Sequence, residues 1–123
     1  MAKHHQIGKA GEQLAARFLI EKGYTILERN WRFSKAEVDL IAKDGDSLVF
    51  VEVKTRSTDY FGKPEEFVSP QKERLLAEAA SVYMEQIGHQ WAIRFDLISV
   101  IYRHEQDFTI EHLEDAFFPG LEF

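Results

Sequence analysis

Cysteine is absent from the 123-residue chain. That removes disulfide scaffolds, thiolate zinc sites, cysteine nucleophiles and iron–sulfur clusters from consideration. No apolar run approaches the roughly 18 residues that a membrane-spanning helix needs. The opening stretch, MAKHHQIGKAGEQ, also lacks the apolar segment of a signal peptide. The expectation is a cytoplasmic protein with no membrane partner. Proline and glycine are sparse, at three and seven residues, and no linker-like tract, internal repeat or low-complexity segment divides the chain. Residues 1–123 therefore read as one domain. What is present suits a packed core: 45% hydrophobic and 29% charged residues, near the averages of globular proteins and unlike those of disordered ones.

The net charge of −6 argues at first against a polyanionic partner, but the charge is unevenly spread. Residues 1–32 carry six basic and three acidic side chains, residues 33–63 five and six, and residues 64–123 four and twelve. Acid is concentrated in the second half, and the first half can present a positive face. A ligand meets the local field, not the total.

Apolar spacing predicts a helix from about His5 to Lys22, with Ile7, Gly11, Leu14, Ala15, Phe18 and Leu19 on one face and Gly23 closing it. Tyr24–Trp31 reads as a short strand. Two β-prone runs, Glu37–Ala42 and Leu48–Thr55, flank Asp44-Gly45-Asp46 and predict a hairpin. The second run is apolar on both faces for most of its length, which suits a central strand covered on both sides. Residues 56–69 read as a loop. Ser69 and Pro70 mark the N-cap and first position of a second helix that Gly88 closes. Trp91–Tyr102 and Phe108–Leu113 complete the pattern as strands. The order predicts a mixed sheet flanked by helices, an α/β or α+β domain.

The informative feature is charge where a buried strand should have none: Asp39 in VDLIA, and Glu52 and Lys54 in LVFVEVK. Glu52 and Lys54, two apart, share a face. A two-residue Gly45-Asp46 turn pairs Asp44 with Ser47 and sets Asp39 opposite Glu52. A one-residue slip would send Asp39 to the other face. Facing carboxylates repel unless a cation lies between them. Their hard oxygens suit Mg²⁺ or Mn²⁺, which polarise phosphoryl groups and acidify water. Lys54 beside them would orient that water or stabilise phosphate charge. The same three charges also fit a salt-bridged triad, with Lys54 on Glu52 and Asp39 solvated near a turn. Glu12, bordering the apolar stripe of the first helix, is a third candidate carboxylate, although a lone helical Glu is more often an ordinary surface residue. Lys72 and Gln71 at the start of the second helix, with Arg56 and Lys63 before it, are candidate phosphate contacts or solvated side chains. Asp96 is read as a structural residue, a partner of Arg94 or a loop cap. Trp31 is read as an anchor of the sheet edge, with stacking on a base beside Arg29 and Arg32 as the alternative.

The blocks G-K-x-G-E, R-N-W-R, E-V-D-L-I-A, L-V-F-V-E-V-K-T-R, K-x-x-x-L and R-F-D-L-I, spread from Gly8 to Phe117, resemble the small bacterial YraN-like family of uncharacterised proteins. That family is similar to the PD-(D/E)-x-K, restriction-endonuclease-like superfamily and, within it, to archaeal Holliday junction resolvases. The resemblance implies a mixed sheet of four or five strands between helices and a divalent-metal nuclease site. Asp39 and Glu52 match the acidic metal ligands, Lys54 the motif lysine, Glu12 the helical acidic residue and Lys72 the basic residue of the following helix. Val38 stands where the motif has proline, and Ala36 where the family usually has glycine. The expected function is Mg²⁺- or Mn²⁺-dependent hydrolysis of DNA, more than of RNA, in repair or recombination. The rival expectations are an inactive nucleic-acid-binding module and a protein-interaction module. The latter is motivated by the acidic second half and the aromatic tail Ala116–Phe123. A homodimer or a larger protein partner is compatible with any of these.

Overall fold

The computed structural model describes residues 2–57 and 69–116. The elements run α1 (Ala2–Glu21), β1 (Thr25–Phe33), β2 (Ala36–Asp44), β3 (Ser47–Arg56), α2 (Pro70–Ile87), β4 (Ile93–His104) and β5 (Asp107–Leu113). This is the order expected from the sequence. The strands form one sheet in the order β1-β2-β3-β4-β5. All neighbours are antiparallel except β3 and β4, which run parallel. A parallel pair needs a crossover, and α2 lies in the chain between its two strands. Most of the loop expected at 56–69 lies outside the described residues, as do Lys63 and all of the C-terminal tail beyond Ala116.

Alternation along β3 builds two cores. Val49, Val51 and Val53 pack with Ala15, Ala16 and Leu19 of α1. Leu48 and Phe50 pack with Leu76, Ala79, Ala80 and Tyr83 of α2. The helices thus cover opposite faces, and β3 is the doubly buried central strand. Ala36 is buried in the α2-side core, so a side chain at that position is used for packing.

Local signals explain the element ends. Gly23, at φ 97°, closes α1, with its N–H donating to the Ile20 carbonyl. The Ser69 hydroxyl accepts from Lys72 N–H at 3.1 Å, and Gly88 ends α2 in the left-handed region. Gly11 permits the close approach of α1 to β3, because a Cβ there would collide with the Thr55 side chain. Asp96, fully buried, accepts from the Arg94 guanidinium, from Asp115 N–H and from His112 Nε2. The structural role expected for Asp96 holds, with His112 as an added partner.

Candidate functional site

The hairpin register decides whether the two motif carboxylates meet. The β2–β3 ladder runs from Asp44↔Ser47 to Leu40↔Val51, the register expected from the two-residue turn. Beyond Leu40 the Asp39 side chain enters the ladder: Val53 N–H donates to its Oδ2 at 2.8 Å. That bond holds Asp39 against β3 beside Glu52. Both carboxyls are buried, at 7% and 5% exposure.

Asp39 titrates well above the usual carboxylate range. Burial is the leading cause, the Glu52 carboxyl the next, and the charge of Glu12 adds a smaller push, all opposed by the Val53 N–H. Glu52 has two differently occupied oxygens. Its Oε1 accepts from Lys72 Nζ at 2.8 Å. Its Oε2 is buried with no hydrogen-bond donor among the described residues. A bare buried carboxylate oxygen beside a second carboxyl is costly; a proton held on Asp39 or a cation between the two relieves it.

Lys72 reaches the site from the first turn of α2, so the helix start set by Ser69 and Pro70 aims this side chain. Burial works to lower its pKa, but the Glu52 hydrogen bond and charge outweigh it and the net shift is upward. Lys54 moves the other way. It is driven down by burial first and by the neighbouring Lys72 ammonium second, with Glu52 and Asp39 opposing. The salt-bridged triad open in the sequence had Lys54 on Glu52 and a solvated Asp39. Instead Lys72 takes Glu52, and Asp39 is buried.

Asp39, Glu52 and Lys72 border a cleft of about 320 Å³ whose lining also includes Lys35, Glu37, Ser69 and Gln71 but not Lys54. Gln71 and Lys72 are therefore brought to the carboxylates. Arg56, at the end of β3, is not part of that lining. Glu12 lies across the sheet, where Asn30 Nδ2 donates to its Oε1 at 3.0 Å. It lines a separate cleft of about 170 Å³ with Lys9, Gln13, Arg29, Asn30 and Leu40. Among the described residues, no set of three or more His, Asp or Glu side chains converges as a ready metal cage. The two carboxylates that do meet fit a hard divalent ion completed by water and substrate phosphate. Lys35 carries no signal in the sequence pattern. It sits in the two-residue turn between Phe33 and Ala36, where Ser34 at φ 57° marks the bend.

Fold and site together define a mixed α/β protein whose central hairpin carries a buried carboxylate pair flanked by lysines. The chain belongs to Uncharacterised protein family UPF0102, whose family profile matches residues 11–100. Glu12, Asp39, Glu52, Lys54 and Lys72 all fall inside that span. A UPF0102 protein of Flavobacterium psychrophilum is 51% identical over 118 residues, covering 96% of this chain and 98% of its own. One of Thermodesulfovibrio yellowstonii is 44% identical over 113 residues, covering 92% and 96%. One of Rhodococcus jostii is 45% identical over 118 residues, covering 95% and 100%. No described helix is long and apolar enough to cross a membrane.

Proposed function

We propose that this protein is a nuclease of the PD-(D/E)-x-K, restriction-endonuclease-like kind, hydrolysing phosphodiester bonds in DNA during repair or recombination. The observation that carries the reading is the buried Asp39–Glu52 pair, with Glu52 Oε2 given no donor among the described residues. Asp39 and Glu52 are the residues that would hold Mg²⁺ or Mn²⁺. Such an ion supplies Lewis acidity toward the phosphoryl oxygen and the attacking water. The chain's own groups do the rest. Lys54, whose proton is loosened by burial and by Lys72, can pass a proton at Nζ to a departing oxygen. Lys72 and Gln71 offer donors to phosphate oxygens from the α2 wall of the cleft. The Val53 N–H fixes the Asp39 carboxyl so that one oxygen is already satisfied.

The test is cleavage of branched, nicked and single-stranded DNA with Mn²⁺ or Mg²⁺, by wild type and by Asp39→Asn. Abolished cleavage in the variant, with folding and DNA binding kept, is the expected result. Undiminished cleavage by Asp39→Asn would remove Asp39 from the site. One observation favours a second reading: Lys72 already neutralises Glu52, as in a nuclease fold retained only for binding nucleic acid or protein. DNA binding indifferent to EDTA, without turnover on any substrate, would select that reading.

A further inference from the structure

Asp39 and Leu40, consecutive in β2 where its ladder with β3 ends, line two separate clefts on opposite faces of the sheet. The larger lies on the α2 side and includes Asp39 itself. The smaller lies on the α1 side and includes Leu40, the next residue of β2. Glu12, in the smaller cleft, is close enough for its charge to act on Asp39. The backbone departs from regular strand geometry here. Asn30, opposite Asp39 between the pairs Arg29↔Leu40 and Trp31↔Val38, adopts φ 51°, and its amide ties down Glu12. With one Glu12 oxygen held by Asn30, the α1-side cleft presents two cations, Lys9 and Arg29, and the amide of Gln13. Neither cation has an ion-pair partner among the described residues, whereas Arg32, Arg94 and Arg103 are each paired. Lys35 and Lys72 occupy the other cleft, so cations flank the carboxylates on both sides.

We propose that the two clefts form one track for a DNA phosphodiester backbone, which crosses the sheet at Asp39 and is held by Lys9 and Arg29 on the α1 side. Lys35, Gln71 and Lys72 hold it on the α2 side. Carboxylates at the centre with cations at both ends suit a polyanion cut in the middle, not a small anion bound at one point. This inference rests on the proposed nuclease reading and adds the direction in which the strand runs.

The experiment is the salt dependence of binding to a fluorescein-labelled DNA hairpin, with Ca²⁺ in place of Mg²⁺. Wild type is compared with a Lys9→Ala, Arg29→Ala double variant and with Lys43→Ala, a change in β2 outside both clefts. Each phosphate that a cation ceases to neutralise reduces the slope of log K against log salt by about 0.9. The double variant is expected to show a reduction of about 1.8, one step for each cation removed, and Lys43→Ala none. Lys9 and Arg29 are exposed, so an unchanged melting temperature is expected and confirms folding. A double-variant slope equal to that of wild type, in a protein that binds the hairpin, overturns the track and leaves the nuclease reading standing. Failure of wild type to bind either the DNA hairpin or an RNA counterpart overturns both. Preference for the RNA hairpin, with the same reduction in slope, keeps the track and overturns DNA as its occupant.

Discussion

At the scale of single residues, the site is a balance between two buried carboxyls and two partly exposed ammonium groups. Lys72 holds the position on Glu52 Oε1 that a divalent ion would contest. A unit charge about 4 Å away at an effective dielectric constant of 20 is worth about 4 kcal/mol before desolvation is counted. Replacing Lys72 by Met removes that competitor. Calorimetric titration with Mn²⁺ is expected to show uptake about tenfold tighter, equivalent to about 1.4 kcal/mol. The Lys54 pKa should rise in the same variant, because one of the influences depressing it is gone. Weaker uptake would instead make Lys72 a support that orients Glu52. Asp39, Glu52 and Lys54 were legible in the sequence, because charge inside β-prone runs is anomalous and the D-G turn fixes parity. The Lys72–Glu52 bond was not, since it joins residues from separate elements and depends on how α2 settles on the sheet. Lys35 was missed for a related reason: a lysine in a turn has no distinctive pattern until the turn is seen to border a cleft.

At the scale of elements, the order and number of helices and strands followed from periodicity, caps and the hairpin signal. Boundaries moved by a few residues where strand pairing extends past the apolar run, as in β1 and β4. The two glycines of the first motif differ in a way the sequence does not display. Gly11 faces Thr55 of β3, and a Cβ there collides with it, whereas a Cβ at Gly8 meets nothing within contact distance. Gly11→Ala is an overpacking change and should destabilise by about 1–3 kcal/mol. Gly8→Ala removes a flexible residue from a helix interior and should stabilise by about 0.5–1 kcal/mol. Urea denaturation of the two variants checks both signs, and equal effects would remove the packing explanation for Gly11. Because Glu12 follows Gly11 on α1, the first substitution should also shift Glu12 from Asn30. The Asn30 side-chain amide resonances would report that shift.

At the scale of the whole molecule, the buried Asp39 and Asp96 carboxyls are shifted in opposite senses. Asp96 is registered with Val51, which packs in the α1-side core, and Glu52 is the next residue along, so the two polar centres lie on opposite faces. Burial tends to raise the Asp96 pKa, but His112, Arg94 and Asp115 N–H overcome it, and the folded value lies below the ordinary one. Asp96 therefore contributes stability above its unfolded pKa of about 3.9, and that contribution is lost as pH falls through the folded value. Asp39 works in the reverse sense. Its folded pKa is raised, so the native state keeps a proton that the unfolded chain releases. Stability then declines as pH rises from the ordinary carboxylate range through the raised value. Asp39→Asn keeps an acceptor for Val53 N–H and removes the titration. The variant should flatten the decline and gain about 1–3 kcal/mol at slightly alkaline pH, at one pKa unit per 1.36 kcal/mol. Asp96→Asn should lose about 1–3 kcal/mol at neutral pH, because a buried amide replaces the carboxylate that accepts from Arg94, His112 and Asp115 N–H, while Arg94 keeps Asp44 and Glu114 as partners. Urea unfolding across a pH series for all three proteins gives the comparison. A wild-type profile that Asp39→Asn leaves unchanged would show that Asp39 titrates as an ordinary carboxyl, and the strain at the carboxylate pair would have to be given up. A stabilised Asp39→Asn that no longer cleaves DNA would show that the pair is kept for chemistry at the expense of stability.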